Sequence, residues 1–185
     1  RGFANPHKMI ESSPAILGYA FENIDAKVAG LKERGFANPH KMIESSPAIL
    51  GLAFENIDRR IKLLGKIINL YDLPFEAAVL MEQAYFLFSS KIDKIIVLTR
   101  ILREFKVGTG KLNTNIIRRL LSNNLEDTLV TLSSYDASSG NVVDFLKQIN
   151  AIKKQKLPRS VKREIIGKEL ELLEKVKKRY FRAYP

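Results

Sequence analysis

The stretch RGFANPHKMIESSPAILG occupies residues 1–18 and occurs again, unchanged, at residues 34–51. An enzyme site is a single constellation, whereas a copied segment builds a stacked fold or a repeated surface. Residues 1–33 and 34–66 align without a gap, and over the first 25 positions only Tyr19 against Leu52 differs. The copies then drift, AKVAGLKE facing RRIKLLGK, while Val28/Ile61 and Leu31/Leu64 stay apolar.

Each copy reads as two helices with a tight link. Asn5 is a favourable N-cap, and Pro6 falls at the first helical position, where a missing N–H costs nothing. Pro14 disfavours helical geometry in the residue before it, so the first helix should run from Pro6 to about Ser12. Ala15, Ile16 and Leu17 should make a turn that buries aliphatic side chains, with Gly18 relaxing the backbone after it. Phe21, Ile24, Val28 and Leu31 then form the stripe of an amphipathic second helix, stopped at Gly35. A helix pair this small cannot close a core alone, so copies must stack. The expected architecture is an all-α solenoid.

Two weaker copies are expected at 67–105 and 106–132. The third keeps Pro74 near its first helix and Ile92-Asp93 in place of Ile57-Asp58, which aligns Lys94 with Arg59. The fourth follows Gly108 and Gly110, with Asn113 or Thr114 as its cap. Residues 133–185 change character: a loop from Ser133 to Asn141, one amphipathic helix, the Leu157-Pro158 break, and a long basic terminal helix. That helix should close the stack with its Ile, Leu and Val face and present Lys162, Arg163, Lys168, Lys175, Lys178 and Arg179 outward.

Composition narrows the class. With 45% apolar and 28% charged residues, the 185-residue chain is globular material. It has no cysteine, which excludes disulfides, thiolate metal sites and cysteine nucleophiles. No apolar run reaches the roughly 18 residues of a membrane span. The first residue falls inside a repeat, so the chain reads as a fragment with any targeting peptide or further copies upstream. The net charge of +11 is uneven: residues 1–66 carry 10 basic and 7 acidic side chains, 67–152 carry 9 of each, and 153–185 carry 12 and 4. A basic terminus of this kind suits a polyanion such as nucleic acid, or an anionic membrane surface. The plainer alternative is a solvated lysine face.

The doubled segment, NPHKMIESSPAILGYAFENI and NPHKMIESSPAILGLAFENI, is similar to the repeat of the mitochondrial transcription termination factor (mTERF) family. Residues 1–105 carry the resemblance well and 106–132 loosely. It implies a left-handed solenoid of two-helix units, each with a short 3₁₀ turn, and a concave basic surface for duplex DNA or RNA. It also implies a mitochondrial or plastid setting, with roles in transcription termination or initiation, ribosome assembly or RNA processing. A bacterial cytoplasm, or delivery into a host cell, is the alternative setting inside a cell.

Recurrent basic positions are the candidate phosphate contacts: Lys8/Lys41, Lys27/Arg60 and Arg59/Lys94, joined by Arg118 and Arg119 in the fourth copy and by Lys162, Arg163, Lys178 and Arg179 in the last helix. Each has a plainer reading as a solvated cation. His7 and His40 sit beside helix starts without a third ligand or base, which fits a polar surface better than catalysis. Glu11, Glu22 and Asp25 recur as Glu44, Glu55 and Asp58; recurrence in a stacking repeat fits capping or inter-repeat hydrogen bonds better than a catalytic pair. Tyr19, opposite Leu52, could stack on a base, although inter-repeat packing is the simpler reading. No phosphate loop, metal cluster or nucleophile–base spacing occurs. The expectation is a monomeric, non-enzymatic nucleic-acid-binding protein without metal or cofactor, duplex DNA favoured over RNA, acting in transcription termination or regulation. The alternatives are a protein-interaction scaffold and an effector-type or membrane-surface module.

Overall fold

The computed structural model of the chain describes residues 2–107, 114–137 and 140–181, and among these there are helices and no strand. The positions expected at Gly108, Gly110 and Asn113 lie outside the described residues. The first copy forms α1 (Pro6–Ser12), a 3₁₀ turn η1 (Pro14–Gly18) and α2 (Phe21–Glu33). The second repeats it as α3 (Pro39–Ser45), η2 (Pro47–Gly51) and α4 (Phe54–Leu70). The same rhythm returns in α5 (Ala77–Gln83), η3 (Tyr85–Phe88) and α6 (Ile92–Glu104). There follow α7 (Thr114–Ser122), α8 (Leu125–Ser134), α9 (Val142–Gln155), α10 (Arg159–Ile165) and α11 (Gly167–Phe181).

Proline sets the first two copies. Pro6 and Pro39 open their helices, while Pro14 and Pro47 open the 3₁₀ turns and hold the preceding serines out of helical geometry, with ψ near 80°. The third copy has Ala77 and Tyr85 in the corresponding places, yet it folds alike. Burial of Leu80, Met81, Ala84 and Leu87 does there what proline does elsewhere.

The long second helices share one way of stopping. Gly35, Asp72 and Lys106 adopt left-handed φ values of 85°, 49° and 48°. The next residue's N–H then reaches back to a carbonyl five residues earlier, from Phe36 to Leu31, Leu73 to Ile68 and Val107 to Leu102. These are Schellman stops, each followed by an apolar residue. Only Gly35 advertises its stop in the sequence; α4 therefore runs past the boundary expected at residue 66 and ends at Leu70.

The chain divides into two compact units, residues 1–65 with 75–88, and residues 66–74 with 89–185. In the first, α3 packs against α1 and α2. Phe36, Met42, Ile43, Ile49 and Ile57 are almost wholly buried, and the Phe36 and Phe88 rings meet at 6.1 Å. Asn5 stands at the N-cap position of α1 but makes no side-chain cap, contrary to expectation. The carboxylate of Glu44, from the next copy, instead accepts from the backbone N–H of Ala4 and of Asn5, the latter at 3.0 Å. Glu82 repeats the device on the second copy, accepting from Ala37 N–H at 2.8 Å and from Asn38 Nδ2 at 2.6 Å. Glu44 and Glu82 both stand sixth in their short helices. Arg34 ties the two long helices, donating through Nε and Nη2 to the Asp58 carboxylate at 2.6 and 2.9 Å and through Nη1 to the Gly30 carbonyl.

In the second unit α6 is the central element, buried at Ile95 through Thr99 and at Ile101 and Leu102. Helices α8 and α9 form a hairpin beside it, capped by the side chains of Asn124 and Asn141. Phe105, Tyr135 and Phe145 pack as a triad with centroids 5.3–5.6 Å apart. A β-carbon at Gly140 would run into the Tyr135 ring, which is why the α8–α9 link carries glycine there. The single long terminal helix expected after Pro158 is broken at the fully buried Ile166 into α10 and α11. Its apolar face is only partly covered: Leu173 is buried, whereas Val161, Ile165 and Leu172 are exposed. Ion pairs supply the rest, Glu169 to Arg100 and Lys177 to Asp93 at 3.2 Å.

Two outcomes follow. Leu50, 6% exposed, and Leu17, 71% exposed, occupy equivalent positions in identical sequence. Leu50→Ala should cost about 2–4 kcal/mol in urea denaturation, and Leu17→Ala less than about 0.5 kcal/mol. The hydrogen bond from Arg34 holds the Asp58 pKa below its ordinary value near 3.8, so the stability it contributes is present above that value and lost as pH falls through the lower one. Asp58→Asn should flatten the acid limb of a pH–stability curve and leave the neutral-to-alkaline limb unchanged in shape.

Candidate nucleic-acid interface

The cations expected to meet phosphate divide into two groups. Lys8, Lys41, Arg59, Arg118, Arg119, Arg163, Lys178 and Arg179 are exposed. Four others are turned partly or wholly inward. Lys27 is buried; its Nζ donates to the Leu52 carbonyl at the end of η2 and lies 4.1 Å from the centre of the Phe54 ring. Burial, reinforced by the positive charge of Arg34, lowers its pKa. Its equivalent Arg60 is half-buried, and burial lowers its pKa as well. Lys94 donates to the Leu121 carbonyl at 2.6 Å. Lys162 pairs with Asp127, and both side chains are largely covered. Lys27 and Lys94 thus serve as C-caps for neighbouring elements, and Lys162 closes α10 onto α8.

The two histidines stand in different surroundings. His40 meets the Phe3 ring edge-on at 5.0 Å, at the junction of the first two copies, and His7 is exposed. Tyr19 reaches toward Gly51 of the next copy, an inter-repeat contact. Among the described residues, no three His, Cys, Asp or Glu side chains gather as metal ligands would.

Four basic groups lie together in the second unit, around an open groove of about 610 Å³ lined by Lys91, Lys94, Arg159 and Lys162 together with Asp93 and Glu126. Three helix starts border it: Lys91 is the N-cap residue of α6, Asn124 of α8, and Arg159 opens α10. The acidic side chains here are already neutralised. Glu126 takes Arg159 at 3.0 Å and Arg163 at 3.6 Å, Asp127 takes Lys162, and Asp93 takes Lys177. Lys91 is exposed and forms no side-chain hydrogen bond or ion pair among the described residues. Arg159 and Arg163 remain 72% and 58% exposed although both share Glu126, so two guanidinium groups face solvent over one carboxylate. Helix starts and excess cations together give a positive, open mouth suited to phosphate oxygens.

Sequence reasoning missed Lys91 and Arg159. Neither recurs between copies, and recurrence was the signal followed; the Leu157-Pro158 break was the available clue, since the residue after it begins a helix at the surface.

Neither a family model, nor a curated protein, nor a solved structure matches the chain.

Lys27→Met keeps a side chain of similar length and removes the charged donor to Leu52 that also lies over the Phe54 ring. It should cost about 1.5–3 kcal/mol of stability by urea denaturation. The salt dependence of DNA binding, measured by fluorescence anisotropy, should not change.

Proposed function

We propose that the chain is a non-enzymatic helical-repeat protein, an α-solenoid of mTERF-like units, that binds nucleic acid through phosphate contacts made by the basic mouth of its second unit. The observation that carries this reading is the set Lys91, Arg159 and Arg163, exposed around a groove whose carboxylates are already paired. The net excess of basic residues after 153 supports it, because Lys153, Lys154, Lys156, Lys168, Lys175 and Lys178 extend the same field over exposed surface. Such contacts give affinity without reading sequence. Duplex DNA is the first ligand to try, and RNA the second. Transcription termination or regulation in a mitochondrion or plastid is the setting that the mTERF resemblance suggests.

The test is a salt titration against duplex DNA, single-stranded DNA and RNA of one sequence. Affinity for the preferred form should fall linearly with log salt, by roughly 0.9 unit of slope per duplex phosphate contacted. The triple variant Lys91→Gln/Arg159→Gln/Arg163→Gln should reduce that slope by about two to three units with the melting temperature nearly unchanged. Binding weaker than about 100 µM for every form near physiological salt would rule the reading out. A protein partner for the stacked repeats would then take the place of nucleic acid.

A further inference from the structure

The same eighteen residues stand in two surroundings, and the comparison isolates what a neighbour does. In the second copy Pro39 is buried, His40 lies against Phe3, Glu44 accepts two backbone N–H groups, and Leu50 is 6% exposed. Phe54 is half-buried beneath Lys27 and Arg34, whose charged ends lie 4.1 and 4.2 Å from the ring centre. In the first copy Pro6, His7 and Glu11 are exposed, Leu17 is 71% exposed and Phe21 is 60% exposed. Pro6, Leu17 and Phe21 line a groove of about 470 Å³ together with Phe3, Met9 and Ile16. Intrinsic preference cannot separate two copies of one sequence. Occupancy does.

We infer that this face of α1, η1 and the start of α2 is a docking surface for another helix–turn–helix unit of the same kind, presenting what the first copy presents to the second. The occupant is defined by chemistry. It offers a pair of free backbone N–H groups ahead of a proline-started helix to the Glu11 carboxylate, and an aromatic ring to His7. Its second helix carries a lysine and, three residues on, a glycine over Phe21. The glycine is required, because a β-carbon at Gly30 would run into the Phe54 ring. A unit of the second-copy kind, which has Leu63 at that position, does not meet the requirement. The surface continues, by one repeat step, the interface that already joins the first copy to the second.

The test adds a further copy of residues 1–33 ahead of Arg1 and compares this longer chain with the original by thermal melting and hydrogen exchange. In the longer chain the melting temperature should rise by several degrees, and exchange over residues 14–24 should slow at least tenfold. Leu17→Ala and Glu11→Ala should be silent in the original chain and lower the melting temperature of the longer one by several degrees. Changing the added copy's equivalent of Gly30 to leucine should abolish the protection over 14–24 while the original segment stays folded. The inference is overturned if the added copy exchanges as an unfolded chain and Leu17→Ala is silent in both proteins. It is equally overturned if sedimentation equilibrium shows the original chain dimerising and Leu17→Asp abolishes the dimer, since a second copy would then be the occupant.

Discussion

A helix pair of thirty-odd residues exposes an apolar stripe that only a neighbour can cover, and the first two copies depend on how that cover is fastened. The fastening is a carboxylate in the sixth position of each short helix. Glu44 and Glu82 reach across to the segment just ahead of the preceding copy's first helix, Glu44 taking the N–H groups of Ala4 and Asn5 and Glu82 the N–H of Ala37 and the side-chain amide of Asn38. One contact therefore both holds the chain at a helix entry and ties two copies together. The Arg34–Asp58 pair and the Lys27 cap on η2 act at the other end of the same junction. The ring of Phe54 lies between Lys27 and Arg34, so packing and polar fastening converge on one side chain.

Much of the local architecture was legible because proline writes it openly. Pro6 and Pro14 bound α1 from both sides, and the Phe21, Ile24, Val28, Leu31 spacing gave α2 its extent. What stayed hidden has a physical reason in each case. Asp72 and Lys106 stop helices in left-handed geometry that sequence reading reserves for glycine, and in each the N–H of the apolar residue that follows closes the turn on a carbonyl five residues earlier. The break at Ile166 falls just before Gly167, a weak helix former that the strongly helical residues on either side obscured. Asn5 was read as a cap on local grounds, whereas its side chain makes no cap and its own N–H is held by a glutamate 39 residues away. Tertiary partners override local preference where they bring a full charge.

The candidate binding surface was less legible, and for a related reason. A lysine stem is long and apolar, so a residue read as a surface cation can fold its stem over a ring or along a helix and spend its charge on a carbonyl. Lys27 and Lys94 spend their charge on carbonyls, and Lys162 spends its charge on Asp127. Those three had been chosen by position in a repeat or on an amphipathic face, criteria that describe packing as well as they describe binding.

Recurrence in a stacked protein is therefore evidence of the junction before it is evidence of a ligand. A contact that joins one copy to the next can recur with the copies, as Glu44 and Glu82 show, so a residue that keeps its place can be one the junction consumes. Residues that need only meet a polyanion are under no such constraint, because a phosphate contact tolerates displacement along the surface and carries no register. The groove cations bear this asymmetry. Lys91, Arg159 and Arg163 occupy no repeated position, and they are among the side chains left facing water where the local carboxylates are already paired. In a fold built by copying, a sequence-tolerant electrostatic surface is to be sought where the copies cease to agree.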